Sequence, residues 1–153
     1  MPLLIEQHID NAAKIGVWRI EEPELFFTAQ TGLDPAIQHP RKRIQHLAAR
    51  FLLNQLEPSI SLQAIRSAPS GKPLTESEDF HFSLSHCGNY TAAIVSSSQK
   101  VGIDIEQIQT RILKLRQKFL MPEEELLLTQ NIHGEAEAYT FGWAIKEIGR
   151  AHV

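Results

Sequence analysis

The sequence of 153 residues is poor in cysteine and has no long apolar run. Cys87 is its one cysteine, which excludes a disulfide within the chain and is typical of a reducing compartment. No stretch approaches the ~18 apolar residues that a membrane-spanning helix needs. The start, from Met1 to Glu6, lacks the basic segment and apolar stretch of a secretion signal. We therefore expect a cytoplasmic protein that does not enter a membrane.

Neither sign of charge is in large excess. Lysine and arginine total 15 and aspartate and glutamate total 18, which gives a formal net charge of −3 at pH 7. A balance of this kind gives no reason to expect nucleic acid as a partner. The length allows one substantial core or two small ones, and 42% hydrophobic with 22% charged residues is ordinary for a globular protein.

Hydrophobic periodicity predicts an α+β protein in which helices dominate the last third. Alternating apolar and polar residues predict strands at 3–8, 16–20, 62–67, 80–85, 91–97 and 101–108. Apolar residues spaced three and four apart predict helices at 23–31, 40–56, 112–119, 122–130 and 135–149.

The last predicted strand carries two carboxylates, in the segment G-I-D-I-E at residues 102–106. Because side chains alternate along a strand, Asp104 and Glu106 share one face, and Ile103 and Ile105 point into a core. Neighbouring carboxylates repel unless a cation or proton lies between them. Hard oxygen ligands of this kind suit Mg²⁺ with substrate phosphates. Any strand with one solvated face shows the same alternation, so the assignment depends on context.

A predicted hairpin precedes this strand. The segment F-S-L-S-H at residues 82–86 is followed by Gly88 and Asn89, which favour a tight turn. Ser85 and His86 then lie at a strand end, where binding groups are often displayed. A single histidine there is more often a surface or capping residue.

Two predicted helices carry charged residues of interest. In the helix at 135–149, Trp143, Lys146 and Glu147 share a side. The alternative interpretation is a solvated helix face on which Lys146 only offsets the charge of Glu147. Its apolar face is predicted at Phe141, Ala144, Ile145 and Ile148. The helix at 40–56 has a basic start at Arg41, Lys42 and Arg43, the unfavourable sign for the helix dipole. Such a start indicates either a nearby anion or a solvated helix end.

Four motifs occur in a fixed order: G-K-P at residues 71–73, F-S-L-S-H, G-I-D-I-E about fifteen residues on, and W-x-x-K-E at 143–147. Their order and spacing resemble the 4′-phosphopantetheinyl transferase superfamily, in its two-lobed type that activates peptide and polyketide synthases. The resemblance covers about residues 38–147. It implies two similar α/β lobes, with residues 1–98 on the nucleotide side of coenzyme A and residues 99–153 carrying the metal site.

The end of the chain departs from the family pattern. Ala151 stands where the family usually has a second lysine, and the strands expected after this helix are absent from the sequence. We therefore expect a second lobe that is truncated at its C-terminus. An uncovered strand edge or apolar face in such a lobe would favour self-association.

The resemblance also implies site residues. The Mg²⁺ ligands would be Asp104, Glu106 and Glu147, and Glu124 would reach the metal through water. Glu123 and Glu125 remain alternatives to Glu124, and all three also suit the positive end of their helix. The groups implied in coenzyme A binding, from the adenine to the pyrophosphate, are Lys72, Pro73, Ser85, His86, Arg41, Arg43 and Lys146.

The implied reaction moves the phosphopantetheine arm of coenzyme A to a serine of an acyl or peptidyl carrier protein and releases adenosine 3′,5′-bisphosphate. Lys146 and His86 would add positive charge near the phosphates. Glu147 or a water on the metal would accept the serine proton. The alternatives are a non-catalytic module that binds coenzyme A or a carrier protein, and a metal-dependent phosphohydrolase. The last leaves G-K-P and S-H unexplained.

Overall fold

A computed structural model describes residues 2–151, and the chain divides into two compact units, Met1–Ile105 and Glu106–Val153. An antiparallel sheet with helices forms the first unit, and the described part of the second unit is helical. This mixture confirms the α+β class. The expected lobe boundary at residues 98 and 99 stays a prediction. Residues 152 and 153, where the expected truncation lies, are outside the described residues.

The first unit contains six strands and two α-helices among its described residues. In chain order they are β1 (Leu3–His8), β2 (Ala13–Arg19), α1 (Glu24–Thr31), α2 (Pro40–Leu56), β3 (Arg66–Ser67), β4 (Pro73–Leu74), β5 (His81–Cys87) and β6 (Tyr90–Ser96). The main sheet has the order β1-β2-β6-β5 with antiparallel neighbours throughout, and β3 pairs with β4. The β5–β6 hairpin turns at Gly88, whose φ of 58° lies in the left-handed region that glycine tolerates.

The core of the first unit lies between α2 and one face of the sheet. Leu52, Leu53 and Leu56 of α2 pack with Phe82 of β5 and with Ala93 and Val95 of β6. The helix approaches β2 so closely that a Cβ atom on Gly16 would lie 3.0 Å from the Leu52 side chain. This packing fixes α2 against the strands that bear the S-H motif.

The prediction of a strand at 101–108 was wrong. The structure assigns no strand there, and residues 101–106 are all half-buried, without the alternation of buried and exposed side chains that the pattern predicts. The amide of Ile103 donates to the Ser83 hydroxyl at 3.3 Å, and that of Ile105 donates to the Ser85 hydroxyl at 3.1 Å. The segment therefore follows β5 through serine side chains rather than through a backbone ladder.

The prediction of a strand at 62–67 was also largely wrong. Residues Leu62–Ala64 form a 3₁₀ turn, and only Arg66–Ser67 pair with a neighbour. Leu62 is buried in that turn, so its apolar character reflects packing of a turn and not a strand face. The other strands and the helices lie close to their predicted positions, within three residues at each end, except at 112–119.

The second unit contains α3 (Ile112–Leu115), a 3₁₀ turn at Arg116–Lys118, α4 (Pro122–Asn131) and α5 (Glu135–Ala151). Phe119, Leu120 and Tyr139 form its core, and Leu128 and Trp143 pack against them. The 3₁₀ turn replaces the second half of the helix predicted at 112–119. No helix among the described residues has the length and apolar character needed to cross a membrane.

The predicted apolar face of α5, at Phe141, Ala144, Ile145 and Ile148, was wrong at two of its four positions, since Ala144 and Ile148 are half-buried. Phe141 and Ile145 are 52% and 50% exposed, whereas Ala138, Tyr139 and Gly142 are buried. Gly142 lets Leu120 and Leu128 come close, since a Cβ atom there would lie 2.7 Å from the Leu128 side chain. The close contact at Gly142, together with the neighbouring aromatic side chains, determines which side of α5 packs into the core of the second unit.

Candidate functional site

Ser85 of β5 orients Asp104. The Ser85 hydroxyl donates to Asp104 Oδ1 at 2.8 Å and accepts the Ile105 amide at 3.1 Å. A serine hydroxyl has one proton, and here that proton goes to the aspartate. The family resemblance implies that Ser85 contacts the coenzyme's phosphates, and that role stays a prediction. In this structure, Ser85 holds the Asp104 carboxylate.

The hairpin that carries His86 is fixed to α2 by a buried glutamine. Gln45 Nε2 donates to the Gly88 carbonyl at 2.8 Å. This bond places the end of β5 beside α2. Lys42, His46 and Arg50 share one side of that helix because they are four residues apart.

These three α2 residues and His86 form a group that we call the cationic cluster. Burial, with the charges of Arg50, His86 and Arg43, lowers the pKa of His46 to about 4. Partial burial, with the charges of Arg50 and Lys42, also lowers the pKa of His86, although its side chain keeps access to solvent. Each cation in the group thus disfavours protonation of its neighbours.

Arg50 is the most constrained member of the cationic cluster. Burial lowers its pKa to about 10, and its Nη1 donates to the His46 carbonyl at 3.4 Å. Among the described residues, no ion pair links any of the four cluster side chains to a carboxylate. A desolvated guanidinium without a counter-charge strongly favours an anion, and its planar donors match phosphate. The cluster can therefore bind a phosphate group.

The predicted phosphate contacts of Arg41 and Arg43 stay predictions, but the structure uses these side chains otherwise. Arg43 donates to Glu24 and Asp34, each at 2.7 Å, and to the Pro35 carbonyl. The two carboxylates raise the Arg43 pKa. Arg41 Nη1 lies 3.4 Å from the Asn89 amide oxygen in the hairpin turn. Sequence reasoning assigned the basic helix start to the ligand and missed the spacing of four along α2.

Lys72 and Pro73 lie at the turn that leads into β4. The Lys72 carbonyl accepts the Ala68 amide at 2.8 Å, and Gly71 has a φ of 84°, a conformation that favours glycine. Burial and the charge of Lys100 lower the Lys72 pKa. The turn is thus well defined, and its predicted contact with adenine stays a prediction.

In the second unit, the predicted catalytic lysine meets a predicted metal ligand. Lys146 Nζ lies 2.6 Å from Glu124 Oε1, and Glu124 Oε2 accepts the Met121 amide at the start of α4. These two contacts lower the Glu124 pKa, the lysine having the larger effect. Glu125 instead accepts from Tyr139 at 2.7 Å. Of the three glutamates left open by the sequence, the structure pairs Glu124 with Lys146.

The other two predicted ligands of this unit are both linked to α5. Trp143 Nε1 donates to Glu106 Oε1 at 3.1 Å. Glu147 Oε1 lies 2.5 Å from Arg150, whose guanidinium lies over the Trp143 ring, 5.4 Å from its centre. Trp143 and Glu147 are one helical turn apart, so α5 brings Glu106 and Glu147 to the same side of this unit.

No described group of three or more His, Cys, Asp or Glu side chains has an arrangement that could hold a metal ion. Asp104 belongs to the first unit, and Glu106 and Glu147 belong to the second. The three-carboxylate site therefore stays a prediction. Its donor atoms are all carboxylate oxygens, and that chemistry fits Mg²⁺.

The lowered His46 pKa predicts that stability rises with pH between about 4 and 6.5. Below pH 6.5 this histidine binds a proton in the unfolded chain, whereas in the folded chain it stays neutral until the pH approaches its pKa of about 4. Because the unfolded state binds more protons, acid favours unfolding. After allowance for solvent screening, we expect a loss of about 1–2 kcal/mol from pH 7 to pH 4. Urea unfolding across this range should show a flatter profile for His46→Gln. The exposed His8→Gln should keep the original slope, and a His46→Gln profile as steep as wild type would contradict this.

Comparison with known proteins tests the family resemblance that the motifs indicate. No family model matches the chain. Over 80 residues, 51% of this chain and 34% of the relative, it is 36% identical to the 4′-phosphopantetheinyl transferase psf-1 of Bacillus pumilus. Over 131 residues, 82% of this chain and 56% of the relative, it is 28% identical to a putative 4′-phosphopantetheinyl transferase of Haemophilus influenzae.

The two similarities confirm that the chain resembles the 4′-phosphopantetheinyl transferase superfamily, as its motifs indicate. It spans about half the length of one of these curated relatives and a third of the other.

Proposed function

We propose that the chain transfers the 4′-phosphopantetheine arm of coenzyme A to a serine of an acyl or peptidyl carrier protein. The cationic cluster is the observation that supports this most. Half-buried Arg50 and exposed Lys42 lack a carboxylate partner among the described residues, and their charges act on His46 or on His86 of the S-H motif. A coenzyme A phosphate supplies the missing negative charge.

The proposed transfer forms one bond and breaks one. The serine Oγ attacks the β-phosphorus, and the bond from that phosphorus to the oxygen bridging the two phosphates breaks. Adenosine 3′,5′-bisphosphate leaves with the bridging oxygen. The serine proton goes to a carboxylate such as Glu147 or to water. Positioning and neutralisation of charge govern such a reaction.

In this proposal Asp104, Glu106 and Glu147 hold a Mg²⁺ ion. The ion supplies positive charge to the pyrophosphate oxygens. Ser85 fixes Asp104, and Trp143 contacts Glu106. The pair of Lys146 and Glu124 is partly exposed, at 36% and 40%, and such pairs contribute little stability. Lys146 can therefore turn from Glu124 to a pyrophosphate oxygen at small cost.

The proposal extends to the setting of the reaction. We propose that the protein lies in the cytoplasm, has the two similar lobes that the motif resemblance implies, and has no nucleic acid partner. Self-association is proposed through the exposed apolar side chains of the second unit. These side chains include Met121, Leu126, Leu127, Phe141 and Ile145.

A second candidate function is a non-catalytic module that binds coenzyme A or a carrier protein. It is favoured by one observation, that the chain spans about half or less of the relatives it matches. The first unit alone contains the cationic cluster, so binding of the nucleotide end does not require residues beyond it.

Intact-mass spectrometry of a carrier protein tests the two functions against each other. The carrier is incubated with this chain, coenzyme A and Mg²⁺, and a carrier whose acceptor serine is alanine serves as the control. A gain of one phosphopantetheine arm, lost with the serine, supports the transferase. Binding of coenzyme A by calorimetry without any mass gain supports the module and contradicts the transferase.

A further inference from the structure

Trp143 is held rigidly within the second unit. Its ring meets Phe119 edge-on, with centroids 5.2 Å apart and planes 81° apart, and Arg150 lies over it. Edge-to-face pairs and cations over indole rings are both favourable geometries. The adjacent turn of α5 is anchored by buried Tyr139 and Gly142. The direction of the indole N–H is therefore set by packing and not by its hydrogen-bond acceptor.

The acceptor of that N–H is Glu106, which follows the Asp104 position by two residues. The contact between Nε1 and Oε1 measures 3.1 Å, and both residues are half-buried. An indole nitrogen only donates, and a carboxylate acceptor makes the bond stronger than one between neutral groups. Glu106 lies in a segment without regular secondary structure, so no helix or strand orients its side chain. The Trp143 N–H donates to this side chain from a regular helix.

We infer that Trp143 is a positioning residue, which fixes the orientation of the Glu106 carboxylate for a divalent cation. The inference rests on the proposed role of Glu106 as a Mg²⁺ ligand. Groups that orient metal ligands commonly change metal affinity by about 10–100-fold when they are lost. A tryptophan that merely tied residue 106 to α5 would change stability and leave metal affinity alone.

The chain contains a matched control. Trp18 Nε1 donates to Glu22 Oε2 at 3.2 Å in the first unit, and the Trp18 ring meets Phe51 edge-on at 5.0 Å. Trp18→Phe thus removes the same kind of bond and the same ring area as Trp143→Phe. It does so beside a glutamate with no proposed metal role.

The experiment measures Mn²⁺ binding through the electron paramagnetic resonance signal of the free ion, with urea unfolding of every variant. The variants are Trp143→Phe, Trp18→Phe, Glu106→Gln, and the double variant of Trp143 and Glu106. We expect Trp143→Phe to weaken Mn²⁺ binding about tenfold and Trp18→Phe to leave it within about twofold. Both should lose similar stability. The double variant should bind no more weakly than Glu106→Gln alone.

Two results would overturn the inference in distinguishable ways. Wild-type affinity in Trp143→Phe, together with weak binding in Glu106→Gln, would show that Glu106 is a ligand and that Trp143 does not position it. Unchanged binding in Glu106→Gln, or no Mn²⁺ binding by the wild type, would end the proposed metal role as well. Should Trp143→Phe fail to fold, benzothienylalanine at position 143 keeps the shape of tryptophan without the N–H, and the same comparison applies.

Discussion

Asp104→Ala is expected to reduce carrier loading by about 10²–10³-fold or more while the first unit stays folded. Loss of a single group that stabilises transition-state charge has effects of this size, and Asp104 is proposed both to hold Mg²⁺ and to be held by Ser85 at 2.8 Å. Loss of the Ser85 contact should cost only about 1 kcal/mol.

Initial rates of carrier loading at several Mg²⁺ concentrations test this expectation. Asp79→Ala is the control, because Asp79 is exposed and contacts only Ser77 of its own turn among its described side-chain partners. Ser85→Ala should fall between the two, since it leaves the carboxylate but frees its orientation. Wild-type rates and unchanged Mg²⁺ dependence in Asp104→Ala would remove Asp104 from the metal site.

Arg50→Gln is expected to weaken binding of adenosine 3′,5′-bisphosphate by about tenfold to a hundredfold. Hydrogen bonds to charged groups contribute about 1.5–3 kcal/mol, and burial has already removed much of the water around this guanidinium, as its lowered pKa of about 10 reflects. The glutamine keeps much of the length and polarity but not the charge. The loss should therefore appear in affinity more than in stability.

Calorimetric titration of Arg50→Gln beside Arg43→Gln separates the cationic cluster from the site predicted from the sequence. Arg43 already binds Glu24 and Asp34, so its loss should lower stability and change affinity little. The opposite outcome, wild-type affinity in Arg50→Gln and weak binding in Arg43→Gln, would assign the phosphate to the helix start. It would also leave the cluster without a ligand.

Local patterns predicted those elements whose stabilising partners lie nearby in the sequence. The helix Pro40–Leu56 has its predicted bounds, because the apolar spacing and a proline at the first position are both local signals. The β5–β6 turn was predicted from two residues for the same reason. Residues 101–108 show as clear an alternation of apolar and polar residues as the observed strands. Two of their backbone amides nevertheless donate to serine hydroxyls, and the segment does not pair as a strand. Pairing with a distant strand is decided by tertiary contacts.

The candidate site divides in the same way. The sequence alone determined the α+β class, the order of four motifs and the resemblance to the 4′-phosphopantetheinyl transferases, because residue identity and spacing are sufficient for each. Only the tertiary structure decided which basic residues of α2 have no carboxylate partner among residues 2–151. Arg43 meets Glu24, nineteen residues away, whereas Arg50 lies beside His46 and His86. Charge neutralisation depends on which residues the fold brings within a few ångströms of each other. The sequence alone therefore does not distinguish a basic residue that has a carboxylate partner from one that lacks it.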